Sequence, residues 1–400
     1  MSHHSGHEHG DALPPFDFQP RPRLVFGVDT VERTGELARD LGAKSVLLVT
    51  DRGLVAAGHA QRVQQNLEAA RLHVTIFDHA AENPTTACVE KCLKTARLAG
   101  IDTIIALGGG SAMDTAKGCN FLLTNGGTMR DYWGVGKATR PMLPMIAIPT
   151  TAGTGSECQS AALIADEKTH QKMACLDPKA VPRIAILDPS LTLSQPFRVT
   201  ACTGIDALSH ALETAVTKKR NPISIMFSRE AFRLCIAALP QVLNDPRNIA
   251  ARGQMLLGAA LAGMAIENSM LGAAHAAANP LTAEYGLAHG KAVGVMLPAV
   301  VRFNSSHSVA KKTYAGLASE LALNGSVSGN GGLEGADLLV SRVEELLGLA
   351  KLPRSLKDCG VDSKSIPKLA QVAAKQWTAA FNPRPVTPSD FEEIYEEAFR

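Results

Sequence analysis

Unbroken apolar runs alternate with segments of helical period through the first half of the chain. Residues 45–50 (SVLLVT), 73–77 (HVTIF), 102–107 (DTIIAL), 144–149 (PMIAIP) and 183–187 (RIAIL) each read as a strand, and residues 23–27 as a shorter one. Helical segments fall between them: residues 59–71, a helix opened by Asn83-Pro84-Thr85 with proline near its first position and running to about 99, and one from about 112. Strands that are apolar throughout, rather than alternating, are buried on both faces. The alternation therefore predicts a parallel sheet covered by helices on both sides, a Rossmann-like α/β unit. After Asp188-Pro189 the texture changes to Ala- and Leu-rich stretches of helical period, about 200–217, 222–239, 249–267, 292–303 and 308–322. No strand is predicted there. Residues 324–335 (NGSVSGNGGLEG) read as a surface loop, and residues 353–400 as helices split by Pro367, Pro383, Pro385 and Pro388. The pattern divides the chain into an N-terminal arm (1–22), an α/β domain (23–190) and an all-helical domain (191–400).

Composition narrows the classes. A chain of 400 residues that is 46% hydrophobic and 4% aromatic is globular and long enough for two cores. Forty basic against 38 acidic residues gives no electrostatic case for nucleic acid or an anionic membrane. No run of 18 apolar residues predicts a membrane span, and the N-terminus lacks a secretory pattern; a cytoplasmic protein is expected. The eight cysteines are scattered without a C-x-x-C pair, so reduced thiols are expected rather than a disulfide framework or structural zinc. Residues 1–10 carry four histidines and read as a disordered tail.

Two loops and two histidine clusters carry the candidate chemistry. The run Gly108-Gly109-Gly110-Ser111 follows a strand and opens a helix. Glycines let a backbone approach a pyrophosphate, and a helix N-terminus offers free N–H groups and partial positive charge. Ser111 and Asp114 also form an S-x-x-D capping pattern, a purely structural alternative. A second polar loop, PTTAGTGSE (149–157), leaves another strand end, where ligands of open α/β sheets bind. Asp51 closes the first long strand; it is either a ribose acceptor favouring NAD over NADP or a helix cap. In the helical half, Asp206 and His210 stand at i and i+4, on one helix face. His275 and His289 follow downstream. One aspartate and three histidines suit Fe(II) or Zn(II); the alternative is a solvated charge and satisfied core histidines.

The stretches GGGSAMDTAK (108–117), AIPTTAGTGSE (147–157), GIDALSHALE (204–213), GAAH (272–275) and AHG (288–290) resemble, in order, the iron-containing (group III) alcohol dehydrogenase family. The resemblance implies a dinucleotide-binding domain, a helical domain, and metal and NAD(P) in the cleft between them. It implies metal ligation by Asp206, His210, His275 and His289, and dinucleotide contacts from Asp51, Asn83, Gly109, Gly110, Ser111, Asp114, Thr150 and Thr151. An NAD-linked alcohol dehydrogenase or aldehyde reductase is expected, the metal acting as Lewis acid on the alcohol oxygen while hydride passes to nicotinamide. A homodimer and a small alcohol or aldehyde substrate follow from the same resemblance. One departure stands out: many members carry a histidine four residues after the third ligand, and here that position is Asn279. Rival readings are an oxoacid-coupled transhydrogenase, a glycerol or sugar-phosphate enzyme of the same architecture, and a non-catalytic nucleotide- or metal-binding protein. None of the four tyrosines has a lysine four residues on, which removes a Tyr-x-x-x-Lys dehydrogenase.

Overall fold

The computed structural model describes residues 14–169, 171–323 and 335–400. The histidine-rich start (1–10) and the glycine-rich segment 324–334 lie outside the described residues. Six parallel strands make the main sheet: β1 (Arg23–Phe26), β2 (Ser45–Val49), β3 (His73–Phe77), β4 (Thr103–Gly108), β6 (Met145–Pro149) and β9 (Ile184–Leu187), in the order β1-β9-β6-β4-β2-β3. Each strand observed overlaps a run expected from hydropathy. Successive side chains go to opposite faces, and both faces are buried. Val46, Leu48, Ile105, Leu107, Ile146 and Ile148 pack with Leu37 of α1 (Thr34–Asp40) and Val63 and Leu67 of α3 (His59–Ala69). Leu47, Val49, Ile104, Ala106 and Ala147 pack with Val89 and Cys92 of α4 (Thr86–Ala99) and Met113 and Ala116 of α5 (Gly110–Asn125). Because all six strands run in parallel, their carboxyl ends share one edge. A short α2 (Arg52–Ala56) follows β2 at that edge.

Hydropathy did not predict a second sheet, in which β7 (Ala161–Ala165) pairs antiparallel with β8 (Lys172–Leu176) and β5 (Gly134–Val135) pairs parallel with β8. Alanine has low strand propensity, so AALIA carried no strand signal; pairing with β8 and packing on α5 impose the conformation. Two boundaries also differ. Pro84 lies before the helix, whose cap is Thr85, accepting from Cys88 N. Helix α5 starts at Gly110, with Gly109 as a cap lacking a side chain, so the S-x-x-D pattern is not used as a capping box.

The second half is helical among the described residues: α6 (Phe197–Val216), α7 (Pro222–Asn244), α8 (Ile249–Glu267), α9 (Ala273–Tyr285), α10 (His289–Asn304), α11 (Ser308–Leu323), α12 (Gly335–Leu349), α13 (Ile366–Ala373) and α14 (Pro388–Phe399). Helix α6 packs on α7, α8 and α10, and every residue from Gly204 to Val216 is buried. Helix α8 is long and apolar enough to cross a membrane by length and composition, although Arg252 and Gln254 interrupt its apolar run, and 72% of that window is buried inside the protein. It is a core helix lying against α6 and α7.

Candidate metal centre and cofactor cleft

Three imidazoles converge on one carboxylate oxygen. The i,i+4 spacing places Asp206 and His210 on the same face of α6. Asp206 Oδ1 lies 3.5 Å from His210 Nε2, 3.5 Å from His275 Nε2 on α9, and 3.8 Å from His289 Nε2 at the first residue of α10. Gly290 explains how α10 comes so close: a Cβ there would stand 2.1 Å from the Cys202 carbonyl of α6. The histidine–glycine pair is thus one device, the glycine letting the helix end touch α6 and the histidine reaching Asp206. Imidazoles of His210 and His275 stack at 4.8 Å, and those of His275 and His289 tilt at 5.3 Å. The side chains of Asp206, His210 and His275 are 5–6% exposed; that of His289, at 35%, forms the open side.

The chemistry of this set fits a divalent cation. Oδ1 of Asp206 and Nε2 of His275, which face each other, are both buried without a hydrogen-bond partner. Buried polar atoms are rarely left so, because desolvation without a partner costs about 1–3 kcal/mol each. Atoms about 2.1 Å from one tetrahedral cation stand about 3.4 Å apart, close to the distances just given. Asp206, His210 and His275 each offer a ligand atom within 4.8 Å of the others. Electrostatics agree. Burial alone raises the Asp206 carboxyl, yet the three imidazoles carry it well below the usual carboxylate range. Burial also works against a charge on His275, but Glu213 and Asp206 outweigh it and lift its pKa to about 9. The two carboxylates hold a positive charge between them, a proton or a cation.

The proposed cofactor residues gather at the carboxyl edge of the sheet. Gly109 faces the Thr151 side chain, and Gly110 the Thr154 side chain, with an added Cβ at 3.1 and 2.9 Å respectively. No side chain caps α5, so the N–H groups of its first turn, Ser111 among them, carry no capping acceptor. Thr150 N donates to the Gly108 carbonyl, joining the two loops at 3.1 Å. Asp51 does cap α2, through Oδ1 accepting from Leu54 N at 3.0 Å. Its Oδ2 faces Gly108, so both uses of the carboxylate are open to it. Burial raises Asp114 to about 6, with Lys117 and Lys172 pulling the other way, and Ser156 Oγ lies 3.5 Å from its Oδ1. Asn83 is exposed, with φ of 52°, in the loop after β3. Asn279 lies one turn beyond His275 on α9, and its amide donates to Gln376 Oε1 at 3.1 Å.

Sequence reasoning missed two residues. Lys172 of β8 adds positive charge on the side of both Asp114 and His289; it lies on the strand that hydropathy did not predict. Glu213 sits within the quoted HALE stretch, but its contact with His275 spans 62 positions and leaves no local signal.

Similarity to known proteins follows the same two halves. Residues 20–189 match the family model for iron-containing alcohol dehydrogenase, and residues 200–399 match the C-terminal model of the Fe-containing alcohol dehydrogenase family. The chain is 34% identical to the 1,3-propanediol dehydrogenase of Citrobacter freundii over 386 residues, 96% of this chain and 99% of that protein. It is 34% identical to the NAD-dependent methanol dehydrogenase of Bacillus methanolicus, covering 94% and 98% of the two chains. The solved structure of a 1,3-propanediol oxidoreductase superposes with a TM-score of 0.91 at 32% identity, covering 96% of this chain and all of that one.

Proposed function

Since the chain belongs to the iron-containing alcohol dehydrogenase family, oxidoreductases acting on CH–OH groups, we propose that it interconverts small primary alcohols or diols and their aldehydes, with NAD and one divalent cation, Fe(II) or Zn(II). The observation that carries this is the convergence of three imidazole nitrogens on Asp206 Oδ1. In this reading residues 23–190 hold the nucleotide and residues 191–400 supply Asp206, His210, His275 and His289 to the cation. Small substrates are favoured because relatives named for propanediol and methanol share nearly the whole length.

When bound, the cation supplies Lewis acidity toward the alcohol or carbonyl oxygen, and the nicotinamide accepts or returns hydride. The chain does the rest. First-turn N–H groups of α5 receive pyrophosphate oxygens. Thr150 and Thr151 wall the nucleotide loop, and Asp51 accepts from ribose hydroxyls while repelling a 2′-phosphate. The Asp206 carboxylate balances charge in a buried pocket, and its burial excludes water. Asn279 does not titrate near neutral pH, and its Nδ2 donates to Gln376 Oε1, so the alcohol proton leaves by another route. A homodimer in the cytoplasm is consistent with the family and with the eight free cysteines.

The test is an alcohol and aldehyde panel with NAD and NADP on Fe(II)-loaded protein, beside chelator-treated protein. Alcohol-dependent NADH release without an added 2-oxoacid, abolished by the chelator, is expected. NADH formation only with an oxoacid acceptor present would favour a transhydrogenase, and cofactor binding without any turnover a non-catalytic protein.

A further inference from the structure

Glu213 stands three residues beyond His210 on α6, with a side chain only 4% exposed. Its two oxygens do different work. Oε1 accepts the N–H of Ala274 at 2.7 Å, and Oε2 lies 2.5 Å from His275 Nδ1. Helix α9 begins at Ala273 after Gly272, which has no side chain to cap it. Glu213, from a different helix, caps it at Ala274, beside Asn382 Oδ1, which accepts the N–H of Ala273 at 3.3 Å. A carboxylate has no proton to give, so the hydrogen in the second contact is the imidazole's own. In neutral His275 the proton therefore sits on Nδ1, and the Nε2 lone pair faces Asp206 Oδ1, 3.5 Å away. Both atoms are acceptors, both are buried, and neither has a donor. A histidine that ligates a metal through one nitrogen generally donates its other N–H to a carboxylate or carbonyl, which fixes tautomer and ring direction.

We infer that Glu213 is the positioning residue of the cation site: it fixes His275 with its Nδ1 proton toward α6 and its Nε2 toward Asp206, and anchors the helix that carries it. The inference rests on the cation reading of Asp206, His210, His275 and His289. It adds a fifth side chain to those four, a carboxylate that does not touch the cation.

Glu213→Gln separates this role from simple capping. Glutamine is isosteric but has one acceptor and one donor at its tip. With its oxygen on Ala274 N–H, its NH2 faces Nδ1 and forces the proton of His275 onto Nε2, blocking ligation. Metal-free wild type and Glu213→Gln are titrated with Zn(II) in competition with a chromophoric chelator, and both are melted without metal. Expected are similar metal-free melting temperatures and a loss of zinc affinity of roughly 10–100-fold in the variant. Glu213→Asp, which keeps an acceptor-only group, is expected to fall between them. In zinc-loaded wild type, nitrogen-15 resonances of His275 are expected to show the proton on Nδ1. Equal zinc affinity in wild type and Glu213→Gln, or a proton on Nε2 in the wild type, overturns the role of Glu213 alone. Failure of wild type to take up zinc overturns the cation reading and this role with it.

Discussion

Asp206 illustrates what one buried carboxylate imposes on its surroundings. A charge this deep is tolerated only where opposite charge or donors meet it; Oδ1 faces three imidazole nitrogens and has no hydrogen-bond partner, which is the setting a cation would complete. Asp206→Asn keeps the shape and removes the charge; loss of bound metal and of alcohol-dependent NADH formation is expected, with an unchanged circular dichroism spectrum, and wild-type turnover would contradict the assignment. Asp51 serves two needs, so Asp51→Gly is expected to lower stability by a few tenths of a kcal/mol through the lost cap and to narrow the ratio of kcat/KM for NAD over NADP; an unchanged ratio would leave Asp51 a cap only. Glu157 lies apart from the cation cluster. It is 1% exposed, and its Oε1 has no partner. Burial raises it from 4.5 to about 7, its own backbone N–H and Lys117 offsetting only part. Below pH 4.5 folded and unfolded states both hold the proton; above about pH 7 the fold must carry the charge. Stability is therefore expected to fall across that window. Urea melts of wild type and Glu157→Gln should diverge in favour of the variant as pH rises from 4.5 to 8; a constant difference would contradict the buried charge. At this scale the sequence was legible where residues are one helical turn apart, as Asp206 and His210 are. It was not legible for Glu213 or Lys172, whose partners are brought to them by other elements.

The loop 149–160 ties the two halves together. Lys117 of α5, fully buried, donates through Nζ to Ser156 O at 2.7 Å, Ser156 Oγ at 3.0 Å and Ala161 O at 3.0 Å. On the other side Glu267, the last residue of α8, accepts from Ser160 N at 2.8 Å and Ser160 Oγ at 2.9 Å. Between these ties the loop meets α8 backbone to backbone: Gly155, at φ +62°, has Gly263 Cα 2.6 Å from where its Cβ would stand. A Cβ on Gly263 would stand 2.3 Å from the Gly155 carbonyl oxygen. Gly263→Ala is thus expected to destabilise by about 1–3 kcal/mol despite alanine's better helix propensity. It should also weaken NAD binding, because Thr151 and Thr154 move with the loop. Thermal melts and NAD titration check both, and a stabilised variant would contradict the contact. Helices α7 and α8 were legible from composition and period. Helix α9 was not: its GAAHAAANP start lacks a local capping side chain and contains Pro280, and the caps it uses come from Glu213 of α6 and from Asn382.

For the molecule as a whole, the carboxyl edge of a parallel sheet meets a helix bundle through the loop 149–160. The main sheet could be read from its apolar runs because burial on both faces leaves no polar alternation to confuse with helix. The packing of α6, α8, α9 and α10 could not, since Ala-rich helices pack in many ways and the glycines that choose one contact only after the chain has folded. What all this brings together is a set of four side chains, which we propose hold a single cation. Anomalous diffraction at the iron edge, from crystals of anaerobically Fe(II)-loaded protein, tests that most directly. One peak per chain is expected, about 2.1 Å from Asp206 and from the imidazole nitrogens of His210, His275 and His289. A peak elsewhere, or none at all in fully loaded and active protein, would contradict it.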